Sequence, residues 1–195
     1  MKKKIFECPE DANETSKLVA QVAGALEGLS NDHHGAEPGA LLSKRLSQYL
    51  GMLRAMHLWY HGAHHATRGA GFSGDHVNLF GKLYQDAQEE IDGAIEKAVG
   101  LTEDEGISCP VHITTLALQV LKLYPSPPNL SAVSMASTGL QLEKDYLELV
   151  SEMFAELEEA GELSLGLNDF LMATANAHED RTYLLRQRVK TDIED

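Results

Sequence analysis

A chain of 195 residues, 43% of them hydrophobic, can bury one sizeable core, and 24% charged residues suit a water-facing surface. Sixteen basic against thirty acidic side chains give a formal charge of −14, so a phosphate-rich partner meets repulsion rather than a basic footprint. Two distant cysteines, Cys8 and Cys109, and an opening without the apolar run of a signal peptide exclude a disulfide scaffold and point to the cytoplasm, with no membrane span.

In chain order, residues 1–37 read as a polar N-terminal extension holding one short helix, at 17–29, where apolar residues recur at helical spacing. A His-, Gly- and Pro-containing break at 31–39 precedes a long helix predicted over 38–60, with Pro38 in its first turn. Residues 62–74 hold four glycines and read as a loop. Asp75, behind Gly74, reads as the N-cap of a second helix over 75–99. A short helix is expected at 111–123, stopped by Tyr124-Pro-Ser-Pro-Pro128. A third long helix starts at Ser131 or Thr138 and runs to Ala160, closed by Gly161. A fourth covers 167–189, and 190–195 form a tail. Strand signals are nearly absent. The fold class is therefore all-α, a four-helix bundle over 38–189. The 100–137 connection, with its short helix, is far longer than a hairpin needs; one long crossover of this kind is the ferritin-like arrangement.

Two segments account for the net charge. Residues 75–105 carry two basic and nine acidic side chains, and residues 141–162 carry one and eight. A solvated helix face is the ordinary meaning of each. In the second segment Glu148, Glu152, Glu156 and Glu159 follow one helix face, where unpaired like charges repel and cations would relieve them.

Five histidines fall between His57 and His76, adding His61, His64 and His65. A cluster this dense points to transition-metal ligation. Asp92 and Glu96 stand four apart and share one helix face, as hard ligands for iron or manganese would; Glu89 and Glu90 fit the same argument. The Glu-x-x-His pairs of a di-iron site inside one bundle do not occur. Any iron site of that bundle type therefore has to be built differently. Cys109-Pro-Val-His112 offers two ligands, too few for a soft-metal site.

Taken together, several segments resemble the Dps family, the miniferritins or DNA-protection-during-starvation proteins. Arg54-Ala-Met-His-Leu-Trp-Tyr-His-Gly62 is similar to the box ending that family's first helix. Phe80, Tyr84, Asp92 and Glu96 follow the pattern of its second helix, Tyr124-Pro125 its crossover, and His178-Glu-Asp-Arg-Thr-Tyr-Leu-Leu its last helix. The resemblance implies a hollow shell of twelve subunits. It implies an Fe(II) site shared across a two-fold axis, Asp92 and Glu96 of one subunit meeting His57 of its mate. Iron, one or two per site, would be oxidised there by hydrogen peroxide or oxygen and stored inside as Fe(III).

The chain departs from that pattern in places. The family's second histidine would fall at Val77, and His76 stands one residue earlier, with His64 and His65 as other sources of that imidazole. Leu58 follows His57 where the family has tryptophan, and Trp59 comes next, either as a core residue or as a radical quencher. DNA binding in the family relies on a Lys-rich tail. Lys2, Lys3 and Lys4 give three charges, diluted by Glu7, Glu10, Asp11 and Glu14, so weak binding or none is expected. The competing readings are a DNA-coating nucleoid protein of the same fold and a metal-free structural bundle.

Overall fold

A computed structural model describes residues 39–190. The expected N-terminal helix, Pro38 and the C-terminal tail lie outside the described residues. Within them the chain is all-helical, without strands: α1 (Ala40–Ala66), a π-helical turn (Gly74–Gly81) running into α2 (Lys82–Thr102), α3 (Pro110–Leu121), α4 (Ala132–Glu159) and α5 (Leu165–Lys190).

The side-chain pairings fix the directions of the four long helices. Arg45 meets Glu156 while Tyr60 meets Gly139, so α1 and α4 are antiparallel. His64 faces His76 and His57 lies against Tyr84, so α1 and α2 are antiparallel. Asp75 pairs with Arg188 and Lys97 lies over Phe170, which sets α2 against α5 in the same sense. His178 meets Glu143, and Leu185 packs beside the position of Gly139, completing the ring between α5 and α4. Around this ring α2 and α4 run the same way, so the link between them must cross the length of the bundle. Residues 103–131 do so, and α3 packs on α1 along the way. Trp59 ties α1 to that crossover, its indole N–H donating to the Pro125 carbonyl at 3.0 Å.

The core follows from the apolar periods. Leu46, Leu50, Leu53 and Met56 of α1 close on Leu83 and Ile91 of α2, Leu142, Leu149 and Met153 of α4, and Leu171 and Leu185 of α5. Gly139 lets α5 come close: a methyl there would sit 3.2 Å from Leu185 and 3.4 Å from the Tyr60 ring. Ser131 caps α4, its hydroxyl accepting from the Ser134 N–H at 3.1 Å. Gly161, at φ +71, ends that helix, and the Glu162 N–H returns to the Leu157 carbonyl at 2.9 Å.

Two expectations change. The 62–74 segment is not all loop, because α1 continues through Gly62 to Ala66. Tyr60 and Ala63 are buried and a methyl at Gly62 would lie 3.5 Å from the Pro127 ring, so packing outweighs the weak helix preference of glycine. Asp75 is no N-cap; it is buried in the π-helical turn and held by Arg188, Nε to Oδ1 at 2.9 Å and Nη2 to Oδ2 at 3.1 Å. The start of α1 is capped from elsewhere: the Glu162 carboxylate accepts from the N–H groups of Leu42, at 2.8 Å, and Gly39, at 3.4 Å. No described helix is long and apolar enough to cross a membrane.

Candidate functional site

Two groups of carboxylates and imidazoles stand out, one inside the bundle and one on its outer face. The inner group draws on all four long helices. His178 of α5 is fully buried, with Nδ1 2.5 Å from Glu143 Oε2 and Nε2 2.9 and 3.0 Å from the two Glu90 oxygens. Both ring nitrogens face carboxylates, so an imidazolium donates at each. Burial lowers the pKa of His178, but Glu143 and Glu90 outweigh it and the net shift is upward. Burial likewise pushes Glu90 up, while His178, Arg181 and the Tyr146 hydroxyl pull harder and leave it below its ordinary range.

Arg181 Nη1 donates to Glu90 Oε2 at 3.0 Å. It also lies 2.9 Å from His178 Nε2, where two donors converge on the same carboxylate. Tyr60 donates to Glu143 Oε1 at 2.5 Å, and Tyr146 donates to Glu90 Oε1 at 2.9 Å, with the Tyr49 hydroxyl 2.9 Å away. The Tyr146 ring stacks on His178 at 3.6 Å. Two carboxylates thus balance one imidazolium and one guanidinium, and tyrosine hydroxyls occupy further lone pairs.

That composition decides its chemistry. Glu143 and Tyr146, like His178 and Arg181, stand i, i+3 on inward faces, the spacing at which a di-iron bundle carries Glu and His. Here tyrosine and arginine take places where ligands would stand. A cation entering would have to expel a guanidinium and a proton. The cluster is a closed ion network joining α1, α2, α4 and α5. Glu90 therefore leaves the set of outward carboxylates in which the sequence placed it.

The outer group lies on α1, α2 and the π-helical turn. Asp92 and Glu96 are both exposed on α2 and form no ion pair or hydrogen bond with described residues. His57, on the adjoining helix, is half-buried. Its Nδ1 is buried without a hydrogen-bond partner among the described residues. Burial, then the nearby Arg54 and His61, lower its pKa and favour the neutral imidazole, the form that ligates metals. Its ring lies 6.5 Å from that of Tyr84 and 6.2 Å from that of His61. Within the single chain these residues are not drawn together: among the described residues, no group of three or more His, Cys, Asp or Glu is placed to hold a metal ion.

His76 and His64 form a reciprocal pair. His64 Nδ1 donates to the His76 carbonyl at 2.7 Å, His76 Nδ1 donates to the His64 carbonyl at 2.8 Å, and the rings stack at 3.8 Å. Each Nδ1 is used as a donor, so each Nε2 keeps its lone pair. Gly81 makes room, since a methyl there would meet the His76 carbonyl oxygen at 2.5 Å. The π-helical turn also bears on the register. Its i→i+5 bonds set the chain back by about one residue against a regular helix. His76 in that turn is half-buried, while Val77 is 61% exposed. His61 and His65 lie exposed on α1, their Nε2 atoms 3.2 Å apart.

The acidic face expected on the third long helix is compensated only in part, at Glu156, and two further acids of that helix turn inward. Glu143 and Asp145 are 0% and 1% exposed, and Asp145 accepts from Tyr124 at 2.5 Å and from Gln141 at 2.7 Å. Glu156 is held by both arms of Arg45. Glu148 and Glu152 are left as a half-buried pair, and burial, then Glu152, raises the pKa of Glu148. Trp59 is buried against Tyr60 and Phe80. Cys109 is exposed before α3, and Cys8 lies outside the described residues.

The chain matches no protein-family model, no curated protein and no solved structure.

Proposed function

We propose that this chain is a subunit of a Dps-like miniferritin with a ferritin-like fold. In this reading it binds Fe(II) between two copies, oxidises it and passes Fe(III) to a store inside a hollow homo-oligomer, a dodecamer by the resemblance. The observation that carries the reading is the contrast between the two groups. The inner carboxylates are neutralised by the chain's own cations, whereas Asp92 and Glu96 stand exposed without one, beside half-buried His57, whose buried Nδ1 has no partner among the described residues.

A two-fold axis across that face would bring Asp92 and Glu96 of one copy to His57 of the other. Carboxylates neutralise Fe(II) and favour Fe(III); a neutral imidazole completes an open site. His76, set back by the π-helical turn and with Nδ1 already used as a donor, supplies a further imidazole. Two Fe(II) ions lose one electron each, and the O–O bond of hydrogen peroxide accepts both and breaks to hydroxide. Leu58, Phe72 and Val77, exposed around the histidines, would be covered by the second copy. The crossover linking two parallel helices agrees with the ferritin-like arrangement. A cytoplasmic setting, where Fe(II) and peroxide meet, fits the reading. Lys2, Lys3 and Lys4, on which DNA coating would depend, lie outside the described residues.

Stopped-flow absorbance of ferric-oxo species after mixing Fe(II) with peroxide tests the reading. It predicts a rate above the protein-free blank, lost on Asp92→Asn/Glu96→Gln. A rate equal to the blank, or one that survives both substitutions, contradicts it, as does a monomer by light scattering.

A further inference from the structure

His61 and His65 stand four residues apart on the outer face of α1, both exposed, with Nε2 atoms 3.2 Å apart. Across that distance the Nε2–H of one ring donates to the Nε2 of the other. A zinc-class cation held at about 2.0–2.1 Å by each nitrogen in tetrahedral geometry spaces its ligand nitrogens by about 3.3 Å. The two rings already have that bite, so binding needs the donor ring's proton to move from Nε2 to Nδ1 but no change of side-chain rotamer. Two histidines at i, i+4 on one helix face are a recurrent way to hold zinc. The surroundings frame the pair: the Tyr84 ring lies 5.0 Å from His61 and the His64 ring 4.8 Å from His65. Neither imidazole pairs with a carboxylate among the described residues.

We propose that His61 and His65 form a bidentate site on a single chain for a borderline divalent cation of the zinc, cobalt or copper class. Imidazole donors without carboxylates suit these ions better than hard oxygen-seeking ones. Water fills the remaining positions. The site needs neither a second copy nor Asp92 and Glu96, so it stands whether or not the ferroxidase reading does.

The test is titration of the full chain with Zn(II) by calorimetry and with Co(II) by visible absorbance. The titrations are run on Asp92→Asn/Glu96→Gln, in which the proposed shared site is removed; the expected result is one equivalent per chain, weakened at least about tenfold when His61→Gln/His65→Gln is added. Equal affinity with the histidines replaced overturns the proposal, as does no binding. Both histidines are exposed, so helix content by circular dichroism should be unchanged. Should the combined variant misfold, imidazole NMR of the unsubstituted protein decides: Zn(II) must move the His61 and His65 resonances, and unmoved resonances sink the idea.

Discussion

Glu90 and Asp92 stand two residues apart on α2 and meet opposite fates. Glu90 turns inward to His178, Arg181 and Tyr146, and its charge is spent within the chain. Asp92 turns outward, one helical turn from Glu96, and meets no cation among the described residues. The difference is one of compensation rather than residue type. Where the chain supplies its own cations, the carboxylates hold helices together and exclude metal. Where it does not, they are open to a cation from solution or from a second copy. The −14 charge thus divides into a spent part and an open part, and the open part includes the proposed iron ligands.

The comparison is broken most severely from the inside. His178→Ala leaves Glu143, Glu90 and Arg181 buried without their partner and should cost about 3–5 kcal/mol in urea unfolding. A loss below about 1 kcal/mol would mean that the network is no brace.

Asp145 offers a second test, through pH. Burial raises its pKa from 3.8 to about 6, against the opposing hydrogen bonds of Tyr124 and Gln141. The folded state then holds more protons than the unfolded state between those values, so stability falls as pH rises through them. The contribution is on the order of 3 kcal/mol for a shift of this size. Asp145→Asn should flatten that slope, and an unaltered slope would show that another group causes it.

Removing the borrowed cap of α1 by Glu162→Ala should cost about 1 kcal/mol, measured in the same unfolding assay. The smallest stability effect belongs to the outer face. Asp92→Asn/Glu96→Gln should stay within about 0.5 kcal/mol of the parent while removing iron oxidation. A large loss of stability there would erase the distinction between the two regions.

The four long helices and the crossover were legible because apolar residues recur in threes and fours and because Gly161 and the prolines after Tyr124 punctuate them; the second helix, expected to end at residue 99, runs through Gly100 to Thr102. The π-helical turn was not legible. It depends on Arg188 reaching Asp75 and on the exchange of hydrogen bonds between His64 and His76, contacts made across the fold. The inner network escaped for a related reason. A search for Glu-x-x-His passes over Glu143-x-x-Tyr146 and His178-x-x-Arg181, although charged residues in register with Leu142, Leu149, Leu171 and Leu185 were a signal of buried ions. The face of Glu148, Glu152, Glu156 and Glu159 looked wholly unpaired because Arg45, which engages Glu156, is more than a hundred residues away in sequence.

The central claim, a site shared between copies, is tested most directly by co-expressing two inactive variants, His57→Gln and Asp92→Asn/Glu96→Gln, and measuring peroxide-driven Fe(II) oxidation of the mixed assembly. In a mixed two-fold pair one site receives the intact histidine of one chain and the intact carboxylates of the other, so about a quarter of the sites should recover. Activity of the mixture no higher than that of either variant alone would contradict a shared site.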